Sequence, residues 1–434
     1  MKEKISECLR SKEIRSRLLF TFMMMVFIRA VSQVHVPGVN PDFLKNYFGD
    51  SIDAYSFLNA FTGGGFENFS VFALSITPYI TSSIIVQLLT IAFPSLEELA
   101  RDGEEGRKKM NRITRYLTVG LSVFESAAMC IGFRNQGLFT AFTWQRAVLL
   151  VVSLTAGSCT LMWIGERIDE RGVGNGISIV LLINIVSRIP HDLYTLWQNF
   201  VSGKTIAKGT LSIVVIAVII ATVTFLTMIV NGAERRIPIQ YSQKMVGRRL
   251  YGGNGSTIPL KVNTGGVIPV IFASSIMSFP TIILTFLKKT PGGTAGKFLS
   301  ILSSSNWFVP SDMFPTIGVA LYAVLVIFFA YFYTEITFNP VEVADNLKKS
   351  GGTVPGVRPG KPTELYFRSI LKYIIFIGAV GLIIVCLIPN VFSGIFNAAT
   401  IGGTSLIIVA SVILETMTSI GSMVSVGVHK SFLA

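Results

Sequence analysis

Long apolar runs recur along the whole chain, and they constrain its fold more than any other feature. A helix that crosses a bilayer needs about 20 mostly apolar residues. Ten runs approach or reach that length, at roughly residues 18–36, 70–93, 115–133, 147–165, 176–190, 210–230, 265–287, 314–333, 372–390 and 401–426. Only 14% of the residues are charged, against roughly 25% in soluble proteins. The sequence therefore predicts an all-α polytopic membrane protein with ten transmembrane helices.

Basic residues are distributed unevenly between the segments that connect these runs. Most of the 37 lysines and arginines precede the first run, follow the last, or lie in every second connection. The positive-inside rule then predicts that both termini lie in the cytoplasm. We expect a cytoplasmic amphipathic segment at 1–17 and a short cytoplasmic tail at 427–434. The net charge of +13 is therefore explained mainly by topology.

The connection at 191–209 divides the chain into two halves of five spans each. Because five is odd, the N-terminal half (18–190) and the C-terminal half (210–426) would enter the membrane in opposite directions. Inverted repeats of this kind commonly enclose a transport path between the halves. We expect two pseudo-symmetric inverted halves joined by an outer hinge loop.

Residues 57–69 are rich in aromatic residues and glycine, and they are too short to cross a membrane. Irregular backbone is tolerated at membrane depth only inside protein or against a water-filled cavity. The segment is therefore either an outer loop or a re-entrant segment packed inside a funnel. From composition alone the loop is favoured.

Span 5 is predicted to be short, and it opens with the glycine-rich residues 171–176. Such glycines without a preceding strand are a weak signal for phosphate binding. A helix start capped by Asn175 is the favoured interpretation. Short, glycine-interrupted spans also tend to line substrate paths.

The chain shows no pattern typical of an enzyme or a metal site. Arg29, Glu125 and Glu415 are the main ionisable residues within spans, and they are too scattered for a proton relay. Arg29 is expected to snorkel outward. Residues 291–297 resemble a phosphate loop but lack its first glycine and its final hydroxyl residue. We expect no catalytic activity, no metal and no cofactor.

Two cytoplasmic connections are long, basic and rich in turn residues. Residues 231–264 contain two alternating runs around a glycine-rich tip, which predicts a protruding β-hairpin-like loop. Residues 334–371 contain glycines and prolines that indicate a loop whose tip is partly rigid and has a defined conformation. Both loops either enforce orientation only or dock an anionic partner, and docking is favoured. The candidate docking residues are Arg235, Arg236, Lys244, Arg248, Arg249, Lys348, Lys349, Arg358 and Lys361.

Several motifs together resemble the SecY family, in its bacterial form. They occur in family order over nearly the whole chain, at residues 72–80, 87–89, 165–178, 259–263, 266–275, 338–340, 344–351 and 354–360. The resemblance implies two halves clamped around an hourglass pore that opens sideways to lipid between spans 2 and 7. It also changes the preference for residues 57–69 from an outer loop to the plug of the pore.

The resemblance further implies a role for particular residues. The pore ring falls on Ile76, Ile80, Ile177, Leu181, Ile271 and Ile408. The plug includes Phe57, Asn59, Phe61, Gly63, Gly64, Gly65 and Phe66. The gate positions are Gln87, Glu125, Asn175, Ser275 and Phe279. Without the family, the ring positions would be interpreted as ordinary core residues.

The function implied is a passive channel for unfolded polypeptides in the inner (plasma) membrane, with sideways release of transmembrane segments. The implied partners are the subunits SecE and SecG, the SecA motor ATPase, the ribosome through its rRNA phosphates, signal sequences, polypeptide clients and membrane lipid. One alternative is a secondary transporter of small solutes. The other is a membrane scaffold or insertase without a pore.

The chain departs from the family pattern at four places. Ser75 stands where glycine is expected, Glu125 where glutamine is expected, and Leu181 where isoleucine is usual. The tail at 428–434 lacks the expected basic run. The first two departures bear on how easily the gate opens.

Overall fold

The structure, a computed structural model, is mostly helical. It describes residues 11–40, 59, 61–134, 137–139, 142–200, 202, 206–241, 244–246, 249–251, 256–286, 299–302, 307–308, 314–396 and 403–433. The helices in these ranges that matter here are α1 Lys12–Val31, α2 Thr77–Ala92, α3 Pro94–Arg101, α4 Gly103–Phe133, α5 Trp144–Arg171, α6 Gly176–Phe200, α7 Ile206–Gly232, α8 Ile268–Phe286, α9 Ile317–Thr337, α10 Pro340–Lys349, α11 Lys361–Phe396 and α12 Gly403–Leu433.

Each predicted span overlaps one helix, from 16 residues in α2 to 36 in α11, and α3 and α10 are short helices in the connections. Within the described ranges, seven helical segments are long and apolar enough to cross a membrane, and residues Ile268–Pro280 form a shorter apolar helix. The all-helical membrane architecture is thus confirmed. The count of ten crossings stays a prediction.

Three boundaries differ from the sequence prediction. The prediction of a short span 5 is wrong, because α6 has 25 residues and continues through Pro190 to Phe200. Helix also occupies much of the segment assigned to the hinge loop. Residues 70–76 form turns and a β-bridge before α2 begins at Thr77. The first helix begins earlier than the first predicted span. It starts at Lys12, and Ser11 caps it because the Ser11 side chain accepts from the backbone N–H of Ile14.

The two halves repeat one packing pattern. In the first half, α2 packs on α4, α4 on α5, α5 on α6, and α1 on both α5 and α6. In the second half the equivalent helices pack in the same way: α8 on α9, α9 on α11, α11 on α12, and α7 on both α11 and α12. The main join between the halves is α6 against α12. This repeated arrangement agrees with the predicted pseudo-symmetry.

The predicted hairpin between spans 6 and 7 is confirmed, with strands β1 Glu234–Tyr241 and β4 Ser256–Lys261 pairing antiparallel. Ile237 and Ile239 point to the buried side of β1, as their alternation predicts. Strands β2 Lys244–Val246 and β3 Arg249–Tyr251 form a second short pair. The sequence did not predict β5 Gly352–Thr353, which joins the other edge of β1. The two long basic loops therefore share one sheet, in the order β4-β1-β5.

Candidate functional site

Five of the six predicted ring residues lie in one buried apolar cluster that includes residues of both halves. Exposed fractions in this cluster are 0% for Ile76, 8% for Ile80, 2% for Leu181, 7% for Ile271 and 0% for Ile408. The sixth, Ile177, is half-buried and packs against the same cluster. The structure thus brings together residues of α2, α6, α8 and α12 that are far apart in sequence.

The spacing of these residues on their helices places them on shared faces. Ile76 is the residue before α2, and the backbone N–H of Ile80 donates to its carbonyl oxygen at 3.1 Å. Ile177 and Leu181 lie in the first turns of α6, four residues apart, so their side chains lie on the same face. Both helices therefore begin next to the apolar cluster.

Glycines let α5 and α6 approach closely where the glycine-rich motif begins α6. A Cβ atom on Gly176 would lie 1.9 Å from the carbonyl oxygen of Gly165, which leaves no room for a side chain. Asn175 caps the helix as predicted, since its Oδ1 accepts from the backbone N–H of Ser178 at 3.2 Å. Asp169, which the sequence did not single out, accepts from the N–H of Gly176 at 2.7 Å. These contacts fix where α6 starts.

The described part of the 57–69 segment, residues 59 and 61–69 (the 59–69 segment below), is folded inward. Phe61 is 4% exposed and belongs to the cluster that holds the ring residues. Phe66 is also buried, in a second cluster with residues of α4 and α5. Both side chains are packed inside the protein, as expected for a re-entrant segment, and its role as a plug stays a prediction. Phe57 lies outside the described residues.

Internal hydrogen bonds give the 59–69 segment a defined shape. Asn59 donates from Nδ2 to Oε2 of Glu67 at 2.8 Å, and the backbone N–H of Glu67 donates to Oδ1 of Asn59 at 3.3 Å. The N–H of Phe66 donates to the hydroxyl of Thr62 at 3.0 Å. Gly63 and Gly64 both have positive φ, at 63° and 84°, where a side chain is strained. Gly63 and Gly64 thus allow a compact turn in this segment.

Helices on two sides hold this segment in place. Arg29 of α1 donates from Nη1 to the carbonyl oxygen of Gly63 at 3.1 Å. The expectation that Arg29 snorkels outward is therefore wrong. Asn184 of α6 donates from Nδ2 to the carbonyl oxygen of Phe61 at 3.0 Å, and the hydroxyl of Ser75 donates to the same oxygen at 3.0 Å. Sequence reasoning missed Asn184, because a single asparagine in an apolar run shows no partner.

Ser75 has a backbone conformation that explains why glycine is expected there. Its φ is +52°, and L side chains adopt this region at a cost that glycine avoids. The residue is 1% exposed. Its carbonyl oxygen accepts from the hydroxyl of Ser158 on α5 at 3.2 Å. The chain thus turns into α2 at a strained residue that is hydrogen-bonded on both sides.

The predicted gate positions lie on several elements. Gln87 lies on α2 and donates from Nε2 to the hydroxyl of Ser83 at 3.2 Å. Glu125 is half-buried on α4. Ser275 is half-buried on α8, where Phe279 is 48% exposed. Within the described part of the chain, no hydrogen bond joins one gate position to another.

The docking residues on the described loops are exposed. Arg235 and Arg236 are both exposed on β1, where Arg236 pairs with Glu234 at 2.7 Å. Lys348 and Lys349 end α10, Arg358 lies in the turn before α11, and Lys361 begins α11. Arg358 pairs with no carboxylate among the residues whose structure is described. Arg248 lies outside the described residues, as do the side chains of Lys244 and Arg249.

Comparison with known proteins places the chain in one family. The sequence model of the SecY family matches residues 70–417. The chain is 39% identical over 438 residues to the protein translocase subunit SecY of Halalkalibacterium halodurans, covering 99% of each chain. It is 38% identical over 443 residues to that of Streptomyces coelicolor, covering 98% of each. None of these relatives supports the alternative of a secondary transporter.

Solved channels share the fold. One, described as a protein conducting channel, has a TM-score of 0.67 at 18% identity, covering 94% of this chain and 91% of the other. Sec61 from the canine ribosome–channel complex has a TM-score of 0.63 at 17% identity, with the same coverage. At such identities the likeness concerns the fold alone, while the sequence relatives and the family model decide membership. The chain belongs to the SecY family.

Proposed function

We propose that this chain forms a passive, gated channel that conducts unfolded polypeptides across a membrane and releases transmembrane segments sideways into lipid. The observation that carries the proposal is the apolar cluster in which Ile76, Ile80, Leu181, Ile271 and Ile408 lie together with Phe61. The curated relatives, which are protein translocase subunits, support it.

The ring is proposed to close by apolar contact and exclusion of water. Branched aliphatic side chains from four helices form no hydrogen bonds with a passing chain. They therefore separate around any sequence and close again behind it. This permits transit that does not depend on the sequence of the client.

The 59–69 segment is proposed to act as the plug of the resting channel. Phe61 lies in the ring cluster, and hydrogen bonds from Arg29, Asn184 and Ser75 hold the segment there. The segment would leave this position when a client enters. Opening between spans 2 and 7 would then give the client a way into lipid.

Driving partners are proposed to dock on the shared sheet of the two cytoplasmic loops. The SecA motor ATPase would contact Arg358, and ribosomal RNA phosphates would contact Arg248 and Arg249 of the hairpin. Solved structures with this fold include channels in complex with ribosomes. Arginine suits such sites because its planar fork pairs bidentately with carboxylates and phosphates. SecE and SecG are the proposed membrane subunits.

We further propose that the chain lies in the inner (plasma) membrane with both termini in the cytoplasm. The distribution of lysine and arginine between alternate connections supports this orientation. The two halves would then be inverted, because each contains an odd number of proposed spans. The repeated helix packing supports such a duplication.

Single-channel conductance after deletion of residues 57–67 tests the proposal. The purified channel complex, reconstituted in planar bilayers, should be ion-tight when unchanged and conducting after the deletion. A solute transporter would carry coupled current that this deletion does not create. A scaffold without a pore would stay ion-tight. Either of those two results would contradict the channel.

A further inference from the structure

A small polar cluster fixes the start of α2 within the apolar interior. The Nδ2 atom of Asn184 donates both to the carbonyl oxygen of Phe61, at 3.0 Å, and to Oγ of Ser75, at 3.2 Å. The Ser75 hydroxyl donates to that same carbonyl at 3.0 Å. Asn184 is 3% exposed and Ser75 is 1% exposed. This group, Phe61, Ser75 and Asn184, is called the first anchor.

A second polar cluster fixes the start of α8 in the other half. Asn263 donates from Nδ2 to the carbonyl oxygen of Gly266 at 2.9 Å and to Oδ1 of Asn231 at 2.6 Å. Asn231 in turn donates from Nδ2 to Oγ of Ser411 at 2.6 Å. Asn263 and Ser411 are buried, and Asn231 is half-buried. This group, Asn231, Asn263, Gly266 and Ser411, is called the second anchor.

The two anchors occupy equivalent places in the two repeated halves. The first joins the segment between spans 1 and 2 to α6, and the second joins the segment between spans 6 and 7 to α12. In the repeated packing, α6 and α12 are equivalent helices. Each anchor thus ties the start of one proposed gate helix to the last helix of its own half.

The backbone repeats the same turn at both anchors. Ser75 has φ +52° and Gly266 has φ +59°, and each stands two residues before the helix start, at Thr77 and Ile268. In both halves one predicted ring residue, Ile80 or Ile271, follows this residue at the same separation in sequence. The N–H of Ile80 donates to Ile76, and the N–H of Ile271 donates to Val267, each at 3.1 Å. Ile80 and Ile271 are therefore equivalent ring positions.

We propose that these two anchors are a matched pair of latches that hold α2 and α8, and with them Ile80 and Ile271, in the closed position. The inference rests on the proposed channel function. The proposal requires each gate helix to move relative to the rest of its own half when the channel opens, and each anchor then loses its hydrogen bonds to α6 or α12. The number of intact bonds therefore sets how readily the resting channel opens.

The pair is asymmetric at one position, and the asymmetry makes the first latch stronger in this chain. Gly266 takes its left-handed conformation without a side chain, whereas Ser75 takes it with one. The Ser75 hydroxyl gives the Phe61 carbonyl a second donor in return. A buried carbonyl that loses a partner retains its desolvation cost, so this donor favours the closed state.

The test uses one variant in each anchor. Each variant is compared with a control that removes a buried hydroxyl elsewhere in the same half, on α2 for the first anchor and on α7 for the second. Ser75→Ala and Ser411→Ala remove one anchor hydroxyl each. Ser82→Ala on α2 and Thr227→Val on α7 remove buried hydroxyls that donate to their own helices, at 2.7 Å each. Each purified channel complex is measured for resting conductance and for export of a reporter with a defective signal sequence. Thermal unfolding of each complex reports any general loss of stability.

Ser411→Ala removes one hydrogen bond and should raise the open fraction of the resting channel by about fivefold. Ser75→Ala removes two and should raise it more, and the double variant should show the product of both effects. The controls should stay closed. In a channel lacking residues 57–67 the effect of Ser75→Ala should become smaller, because Phe61 is absent and only the bond from Asn184 to the Ser75 hydroxyl is left to lose. The effect of Ser411→Ala should persist unchanged.

If both anchor variants behave like their controls while deletion of residues 57–67 still opens the channel, the latch proposal is wrong and the channel proposal stands. If the deletion itself leaves the channel ion-tight, the channel proposal fails and the latches fail with it. If only Ser75→Ala opens the channel, the first anchor acts alone and the matched pair is refuted.

Discussion

Gly63 is held between Arg29 and Asn184. The guanidinium of Arg29 donates to its carbonyl oxygen at 3.1 Å. On the other side, a Cβ atom on Gly63 would lie 2.6 Å from the carbonyl oxygen of Asn184. The 59–69 segment therefore touches α1 and α6 at one residue. The position of this segment depends on a hydrogen bond at one side and on close backbone contact at the other.

Replacing Arg29 with alanine should loosen the proposed plug. A hydrogen bond from a charged donor contributes about 1.5–3 kcal/mol, so its loss should measurably raise the open fraction. Export of a reporter with a defective signal sequence should increase. The Arg29→Lys variant should still reject that reporter in part, because lysine is also a charged donor. Equal rejection of that reporter by the alanine variant and the unchanged channel would show that the bond does not restrain the segment.

Replacing Gly157 with alanine should destabilise the protein. A Cβ atom there would lie 2.0 Å from the carbonyl oxygen of Val71, so α5 must move away from the turn before α2. Forced repacking of this kind costs about 1–3 kcal/mol. The measurement is thermal unfolding in detergent. Gly120→Ala on α4 is the control, since its Cβ would enter open space; a shift of the same sign and size in both variants would contradict the steric explanation.

Replacing Ile408 with asparagine should weaken the resting seal. The side chain is fully buried in the cluster that holds the predicted ring residues, and an amide there would attract water into the proposed constriction. Reporters with defective signal sequences should be exported more readily. Ile408→Leu keeps the apolar volume and should reject them normally. Stricter rejection by the asparagine variant would remove Ile408 from the ring.

Replacing Arg358 with glutamate should block motor-driven export while the protein still folds and inserts. The side chain is exposed in the turn before α11, so it contributes little to stability. Lys108→Glu makes the same change of charge at an exposed position of α4 and serves as the control. Motor-stimulated transport is measured after the amount of each complex has been equalised. Normal transport by Arg358→Glu would exclude this residue from docking.

Much of the architecture was predictable because it depends on local patterns. Apolar runs located the helices, and alternation of Ile237 and Ile239 located the hairpin strand. Asn175 was predictable as a cap because the glycines mark a helix start. Local patterns were not enough to predict the ring residues, because nothing on α2 alone shows that Ile80 lies in a cluster with Ile271 and Ile408. The family resemblance supplied that grouping, and the structure is consistent with it.

What escaped prediction depends on contacts between distant residues. The positive φ of Ser75 has no local signal, because serine normally avoids that conformation. Asp169 looked like one charge among several, yet it accepts from the N–H of Gly176 at the start of α6. Proline usually ends or bends a helix, so the continuation of α6 through Pro190 was not expected. Such features are settled by tertiary packing.

The sheet order β4-β1-β5 affects how a partner that binds these loops acts on the rest of the chain. Gln240 and Thr353 pair across β1 and β5, and the core beneath them includes Phe367 of α11. The turn near Arg358 lies between β5 and α11, and β5 is hydrogen-bonded to β1, which follows α7. The two loops are therefore joined to each other and to two helices of the C-terminal half, so any partner that binds either loop acts on that same half.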